Sequence, residues 1–144
     1  MIYKQELIFG PVFGVILLTF VVWIYMYAKR IPFILKSGMT RVQLKTPGEL
    51  ARRSPPSVTN PSDNLKNLFE VPVLFYTLSL YLFVTNKVDS WYVFAGWVFF
   101  ISRVLHSFIH CTVNIVIFRF YVYLISCGAV GYMFARAATA YFMA

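Results

Sequence analysis

The chain of 144 residues is 60% hydrophobic and 19% aromatic, and only 12% of its residues are charged. A composition this apolar excludes an ordinary water-soluble domain of this size and indicates an integral membrane protein. The formal net charge of +8 does not indicate nucleic-acid binding, because eight of the thirteen basic residues lie in one basic segment, which spans the loop between the first two predicted membrane helices and the first turn of the second. These are Lys29, Arg30, Lys36, Arg41, Lys45, Arg52, Arg53 and Lys66.

The first apolar stretch runs from Leu7 to Tyr27 and has the length of about 20 residues that a helix needs to cross a hydrocarbon core of ~30 Å. It carries no charge, is longer than the hydrophobic region of a signal peptide and precedes its main positive charges, so we expect it to stay in the mature protein. Residues 28–63 then turn polar and contain several prolines. This pattern predicts a long loop with at most short helical pieces.

Three further apolar stretches predict helices at about 64–84, 91–118 and 120–142. The third helix is long enough to protrude beyond one membrane face. Together with the helix at 7–27, they make residues 1–144 a single all-α domain, an integral membrane four-helix bundle. The fourth helix contains small residues, which permit close approach of helices in lipid. These are Ser126, Gly128, Ala129, Gly131 and Ala135.

The basic segment sets the predicted orientation, since short loops rich in Lys and Arg stay on the cytoplasmic side. Loop 28–63 is therefore expected to be cytoplasmic, with both termini non-cytoplasmic in a multi-pass protein. The start of the second helix, the end of the third and the start of the fourth then lie at the cytoplasmic side. The polar residues of these three helices converge at one level.

A polar stripe on the third helix consists of Arg103, His106, His110 and Asn114. At 100° per residue, these side chains fall within a sector of about 80° and extend ~16 Å along the helix. Ionisable groups inside a bilayer are costly, usually face a bundle interior or a wet cavity, and indicate a functional site.

A structural ion pair in which Glu70 neutralises Arg103 is the alternative explanation of this stripe. One carboxylate does not neutralise Arg103, Arg119 and Lys66 together, so the region carries surplus positive charge. The excess predicts a site that attracts an anion.

On the second helix, Asn67 and Glu70 are three residues apart and share a face, while Lys66 and Glu70 are four apart and are placed to pair. Pro72 has no N–H to donate to the carbonyl of Leu68, which predicts a kink beside this polar turn.

A metal site is not predicted. His106 and His110 are spaced to share a cation with Glu70, but nearby arginines disfavour a cation and the chain has no further histidine. Cys111 and Cys127 lie in apolar stretches without metal-finger spacing, and we interpret them as buried thiols.

These features resemble the MAPEG family, the membrane-associated proteins in eicosanoid and glutathione metabolism, over nearly the whole chain. The resemblance is carried by four helices, a long basic first loop, Lys66-Asn67-Leu68-Phe69-Glu70 on the second helix and Ser102-Arg103-Val104-Leu105-His106 on the third. His110, Arg119 and Tyr123 follow at family positions, although eukaryotic members commonly have tyrosine in place of His110, and related members have arginine in place of Lys66. The sequence around Glu70 is most similar to the uncharacterised bacterial branch.

The resemblance implies a homotrimer whose sites lie between neighbouring subunits and bind glutathione as a co-substrate at the cytoplasmic side. It implies that Asn67 and Glu70 hold the amino and backbone groups of glutathione, and that Arg103 and His106 hold its carboxylates. The other implied binding residues are Lys66, His110 and Tyr123.

By the same resemblance, Arg119 is the catalytic residue and holds the sulfur as a thiolate. A thiol of pKa near 8.5 beside a guanidinium in a partly dry site becomes substantially thiolate at neutral pH, and the thiolate is the nucleophile.

We therefore expect a glutathione-binding protein of the bacterial inner membrane, a glutathione transferase or peroxidase acting on a lipophilic small molecule. The alternative is a non-catalytic lipid-binding or scaffolding protein, because the family contains a non-enzymatic lipid-binding member. A third reading is a small transporter subunit whose charged stripe lines an ion path. Glutathione binding without turnover selects the second reading, and glutathione-independent ion flux selects the third.

Overall fold

The computed structural model describes residues 4–45 and 47–143. Within these residues the chain forms a short 3₁₀ turn, Gln5–Ile8, followed by seven α-helices and no β-strand. The helices are α1 Phe9–Lys36, α2 Arg41–Leu44, α3 Pro47–Arg53, α4 Pro56–Asn67, α5 Val71–Val84, α6 Ser90–Cys111 and α7 Val116–Phe142.

Four helical stretches of the described chain are long and apolar enough to cross a membrane. They are Gln5–Lys36, Pro56–Val84, Ser90–Cys111 and Val116–Phe142. The predicted fold class, an all-α four-helix membrane bundle, is confirmed by these stretches.

The first helix is longer than the predicted stretch 7–27, because α1 continues through Pro32 to Lys36. These nine additional residues add ~13 Å of helix. Pro32 is tolerated inside the helix because its position is exposed, so water can bond the carbonyl that the proline leaves without a donor. The predicted loop then holds α2 and α3, and Thr40 and Gln43 close a capping box at the start of α2.

The second membrane stretch is interrupted between α4 and α5, at Leu68–Glu70. Pro72 lies at the start of α5, where a missing N–H breaks no helical hydrogen bond. The kink predicted at Pro72 is therefore a break between two helices. It lies on the segment that carries Asn67 and Glu70.

The third helix ends at Cys111, seven residues before the predicted end at Phe118. Asn114 adopts a positive φ of 47°, a left-handed conformation that asparagine tolerates better than most residues. Its N–H donates to the carbonyl of Ile109 at 2.7 Å. This turn was not predicted because residues 112–118 are mostly apolar. Residues from Val116 onward belong to α7.

Helices α1 and α6 pack closely because glycines lie at their contact. A Cβ atom on Gly14 would lie 2.8 Å from the Phe100 ring, and one on Gly96 would lie 2.8 Å from Cγ of Pro11. In the core behind them, the rings of Phe75 and Phe99 stack with centroids 4.5 Å apart. This packing fixes α6 against α1 and α5.

An ion pair closes the end of the bundle opposite the basic segment. Arg136 donates to both carboxylate oxygens of Asp89, at 2.8 and 2.5 Å, and its guanidinium lies 4.4 Å from the centroid of the Tyr92 ring. The same carboxylate caps α6 by accepting from the N–H groups of Trp91 and Tyr92. The turn between α5 and α6 is thereby joined to α7.

Candidate functional site

The polar stripe is shorter than predicted, because Asn114 lies beyond the end of α6; its other three residues are buried inside the described chain. Arg103 is 0% exposed, His106 2% and His110 4%. Arg103 and His106 make their hydrogen bonds to the α4–α5 break and to the start of α7, and the His110 ring lies next to that of His106. The helix therefore turns its costliest side chains away from lipid, as a bilayer requires.

The Arg103 guanidinium has one hydrogen-bond partner in the described chain. Its Nη2 donates to the backbone carbonyl of Asn67 at 2.8 Å, which is available because the helix is interrupted after Asn67. Its Nε and Nη1 have none, and the guanidinium carbon lies 5.5 Å from the centroid of the Tyr123 ring. Arg103 is thus a buried cation with two free donors.

The alternative ion pair between Glu70 and Arg103 is not formed. Glu70 is exposed, and no carboxylate of the described chain pairs with Arg103. The positive charge of Arg103 is therefore not neutralised within the described part of the chain.

His106 is oriented by a backbone contact with α7. Its Nδ1 lies 3.1 Å from the carbonyl oxygen of Arg119, and because a carbonyl only accepts, Nδ1 carries the proton. Its Nε2 is buried without a partner. In the neutral ring, Nε2 then offers a lone pair to a donor, rather than a proton to a carboxylate.

His110, which is buried, and Tyr123, which is half-buried, complete this group of side chains. The His106 ring lies 5.6 Å from the ring of His110 and 5.7 Å from that of Tyr123. Nδ1 of His110 is buried without a hydrogen-bond partner in the described residues. We call Arg103, His106, His110, Arg119 and Tyr123 the inner cluster.

Arg119 is held at the start of α7 by the turn that precedes it. Its Nη1 donates to Oδ1 of Asn114 at 2.7 Å, and Nδ2 of Asn114 donates to Oδ1 of Asn60 at 3.2 Å. Arg119 is the fourth residue of α7, where the free N–H groups of the helix start add partial positive charge. The left-handed Asn114 thus positions the guanidinium as well as ending α6.

The side chains of Lys66 and Glu70 make no hydrogen bond or ion pair with the inner cluster within the described residues, although the Glu70 carboxylate is near enough to interact electrostatically with Arg103 and Tyr123. Both side chains are exposed, and Lys66 pairs with Asp63 at 2.9 Å rather than with Glu70. They line a cleft between α4 and α1 that also contains Arg30. The predicted site residues thus comprise an exposed pair, Lys66 and Glu70, and the inner cluster, whose Arg103 contacts the carbonyl of Asn67.

Sequence reasoning missed three polar residues near the inner cluster. Asn64 is 0% exposed; its amide nitrogen lies 3.6 Å from the sulfur of Cys111, and its Oδ1 accepts from Ser107 at 3.4 Å. The third is Asn60, the partner of Asn114. Helical spacing could have identified two of them. Ser107 lies four residues after Arg103, and Asn64 lies three before Asn67, so each shares a helix face with a predicted site residue.

Comparison with known proteins finds one family. The model of the MAPEG family matches residues 8–139, nearly the whole chain. No curated protein and no solved structure matches the chain.

Proposed function

The chain belongs to the MAPEG family, and from this premise we propose that it binds glutathione at the inner cluster and activates the thiol for attack on a lipophilic substrate. Membership places the chain among integral multi-pass membrane proteins of glutathione and eicosanoid metabolism. The proposed reaction is glutathione transfer or glutathione-dependent peroxide reduction, at the cytoplasmic side of a bacterial inner membrane.

The observation that carries this proposal is Arg103, a fully buried guanidinium with two unpartnered nitrogens. A buried, unpaired charge costs several kcal/mol, so such a group is retained where a ligand supplies the opposite charge. A carboxylate is the natural partner, because its two oxygens match the fork of a guanidinium.

The other groups fit the remaining chemistry of glutathione, which has two carboxylates, one ammonium and one thiol. His106 Nε2, the acceptor in this tautomer, matches an N–H or S–H donor. This refines the role that the family resemblance implies, in which His106 holds a carboxylate. Glu70 supplies a negative charge for the ammonium group.

Arg119 is the proposed activator of the thiol. Only Nη1 is engaged with Asn114, and Nε and Nη2 make no hydrogen bond within the described residues. A sulfur beside these donors and the start of α7 would be stabilised as the thiolate.

We further propose a homotrimer with shared sites. In one chain the side chains of Lys66 and Glu70 are exposed, whereas Arg103, His106 and His110 are buried, so a ligand that contacts both groups needs an additional protein surface to cover it. A neighbouring subunit would supply it. Native mass spectrometry tests this point, and a monomer that binds glutathione would remove the shared-site arrangement.

A non-catalytic lipid-binding or scaffolding role is the second candidate. The hydrogen bond from Arg119 to Asn114 favours it, because a guanidinium that joins α7 to its preceding turn has a sufficient structural role. Glutathione binding without turnover on any tested electrophile or peroxide would select this candidate.

Thermal unfolding of the detergent-purified protein with and without glutathione tests the proposal. Glutathione and S-methylglutathione are both expected to raise the melting temperature, because the methylated ligand keeps the carboxylates and the ammonium. Chloride and acetate at equal ionic strength are the controls. Equal shifts for glutathione and acetate would contradict a specific glutathione site.

A further inference from the structure

A continuous groove follows α1 along its contact with α4 and the start of α5. It consists of three adjoining cavities of about 410, 610 and 310 Å³. The first and second share Trp23, Leu65 and Phe69. The second and third share Arg30, Ser62 and Lys66. None of the inner cluster lines this groove.

The first cavity is almost entirely apolar. Its walls include Ile16, Phe20 and Leu68, together with the rings of Trp23 and Tyr76. The hydroxyl of Thr19, which also lines it, donates to the backbone carbonyl of Val15. This end of the groove therefore offers a hydrocarbon surface that suits an acyl chain.

The third cavity is polar and contains one available cation. Lys66 is paired with Asp63, and Ser54 donates its hydroxyl proton to the carbonyl of Leu50. Arg30 is half-buried and makes no hydrogen bond or ion pair with any described residue. This end of the groove therefore has a free guanidinium flanked by hydroxyl groups.

The length of the groove matches one leaflet of a bilayer. Fourteen residues separate Ile16 from Arg30 on α1, which corresponds to ~21 Å of helix. One leaflet has ~15 Å of hydrocarbon and about 5–7 Å of headgroup region. Trp23 and Tyr27, whose rings pack edge to face, are aromatic residues of the kind found at membrane interfaces, so Arg30 lies at headgroup level.

We propose that this groove binds one phospholipid molecule, with an acyl chain along the apolar cavity and the phosphate on Arg30. The charges at this end favour a phosphodiester headgroup of single negative charge. Arg30 is the unpaired cation, and the carboxylate of Glu70, which lines the middle cavity, repels more highly phosphorylated headgroups. Arg30 is not among the residues assigned to glutathione, but Lys66 and Glu70, which line the middle cavity, are, so the lipid is tested on the glutathione-free protein.

Native mass spectrometry of the full chain from lipid nanodiscs tests the proposal, with palmitoyl-oleoyl phosphatidylglycerol as the probe and dioleoylglycerol as the phosphate-free comparison. The wild type is expected to retain one phosphatidylglycerol per chain and to release dioleoylglycerol. Arg30→Gln should weaken retention about tenfold or more, because hydrogen bonds to a charged group contribute about 1.5–3 kcal/mol. Lys36→Gln, at an exposed position on the same helix end, is the matched control and should retain the lipid.

A second variant, Leu65→Trp, fills the junction of the first two cavities and leaves Arg30 in place. It should also lose the lipid. Equal retention by Arg30→Gln and Lys36→Gln, or equal retention of both lipids by the wild type, would overturn the proposal. Oxidative cross-linking of Leu65→Cys between two chains would overturn it as well, because a second copy would then occupy the groove.

Discussion

Arg103 is the residue at which structural and functional requirements conflict most. A guanidinium with two free donors at 0% exposure destabilises the ligand-free protein. An apolar replacement removes that cost, although it also removes the hydrogen bond to the carbonyl of Asn67. The two effects oppose each other in the ligand-free protein, but at this position a guanidinium gives affinity for an anion and an apolar side chain does not.

We therefore predict that Arg103→Leu changes the stability of the ligand-free protein by less than ~1 kcal/mol and weakens glutathione binding by about tenfold or more. Thermal unfolding and isothermal titration calorimetry measure the two effects separately. Arg103→Lys is the control that keeps the charge. If Arg103→Leu is strongly destabilised without ligand, yet its folded fraction binds glutathione with the affinity of the wild type, Arg103 has a purely structural role.

Asp89 gives a second prediction, concerning pH. The hydrogen bonds from Arg136 lower the pKa of Asp89, while its partial burial raises it and the N–H groups of Tyr92 and Trp91 lower it further. Because the folded-state pKa is depressed, the ion pair stabilises the protein above the unfolded pKa of about 4. This contribution is lost as the pH falls through the folded-state pKa.

Asp89→Asn removes the charge but keeps a good helix cap. We expect it to lower the free energy of unfolding at pH 7 by less than about 1 kcal/mol, because both partners of the ion pair are more than a third exposed. The melting temperature should fall slightly as a result. The difference from the wild type should shrink towards pH 3. Glu6→Gln, at an exposed acid, is the control, and a difference that is independent of pH would refute the ion-pair explanation.

At the scale of elements, the contact between α1 and α6 depends on the absence of a side chain. A Cβ on Gly96 would meet the rigid ring of Pro11 at 2.8 Å. We predict that Gly96→Ala destabilises the protein by about 1–3 kcal/mol through overpacking. Gly48→Ala, at a helical position with no atom near the added methyl, should be neutral or slightly stabilising. Thermal unfolding of both variants in the same detergent decides the point, and equal melting temperatures would show that α1 and α6 do not pack this closely.

The positions of the helices could be predicted from the sequence better than their ends. Long, predominantly apolar runs predicted the four membrane stretches, because crossing a bilayer requires about 20 apolar residues. The end of α6 was missed because Val113, Ile115 and Val116 are as apolar as a helix interior. Only Asn114, with its left-handed backbone, marks the turn, and asparagine at one position is a weak signal.

Part of the candidate site could also be predicted from the sequence. Helical spacing placed Arg103, His106 and His110 on one face, and all three are buried. The exposure of Lys66 and Glu70 and the absence of an ion pair between them were not predictable, because they depend on how the helix breaks after Asn67. Spacing on an ideal helix cannot describe side chains on either side of a break.

At the scale of the whole molecule, the basic segment predicts the orientation in the membrane. Reporter fusions at Pro55 and after Ala144, a position outside the described residues, should report opposite sides, with Pro55 cytoplasmic. Neutralising Lys29, Lys36, Arg41 and Lys45 together should raise the fraction of inverted molecules. Both fusions on the same side would be incompatible with four membrane crossings.

The central claim is that the protein ionises bound glutathione at Arg119, and the thiolate absorbance near the ultraviolet edge measures this directly. Bound glutathione should titrate below the thiol pKa of about 8.5 in the wild type, with S-methylglutathione as the spectral blank. In Arg119→Ala the midpoint should rise by about 1–2 pH units while binding persists through Arg103, and Arg119→Lys should restore part of the shift. An unchanged midpoint in folded, glutathione-saturated Arg119→Ala would contradict the claim.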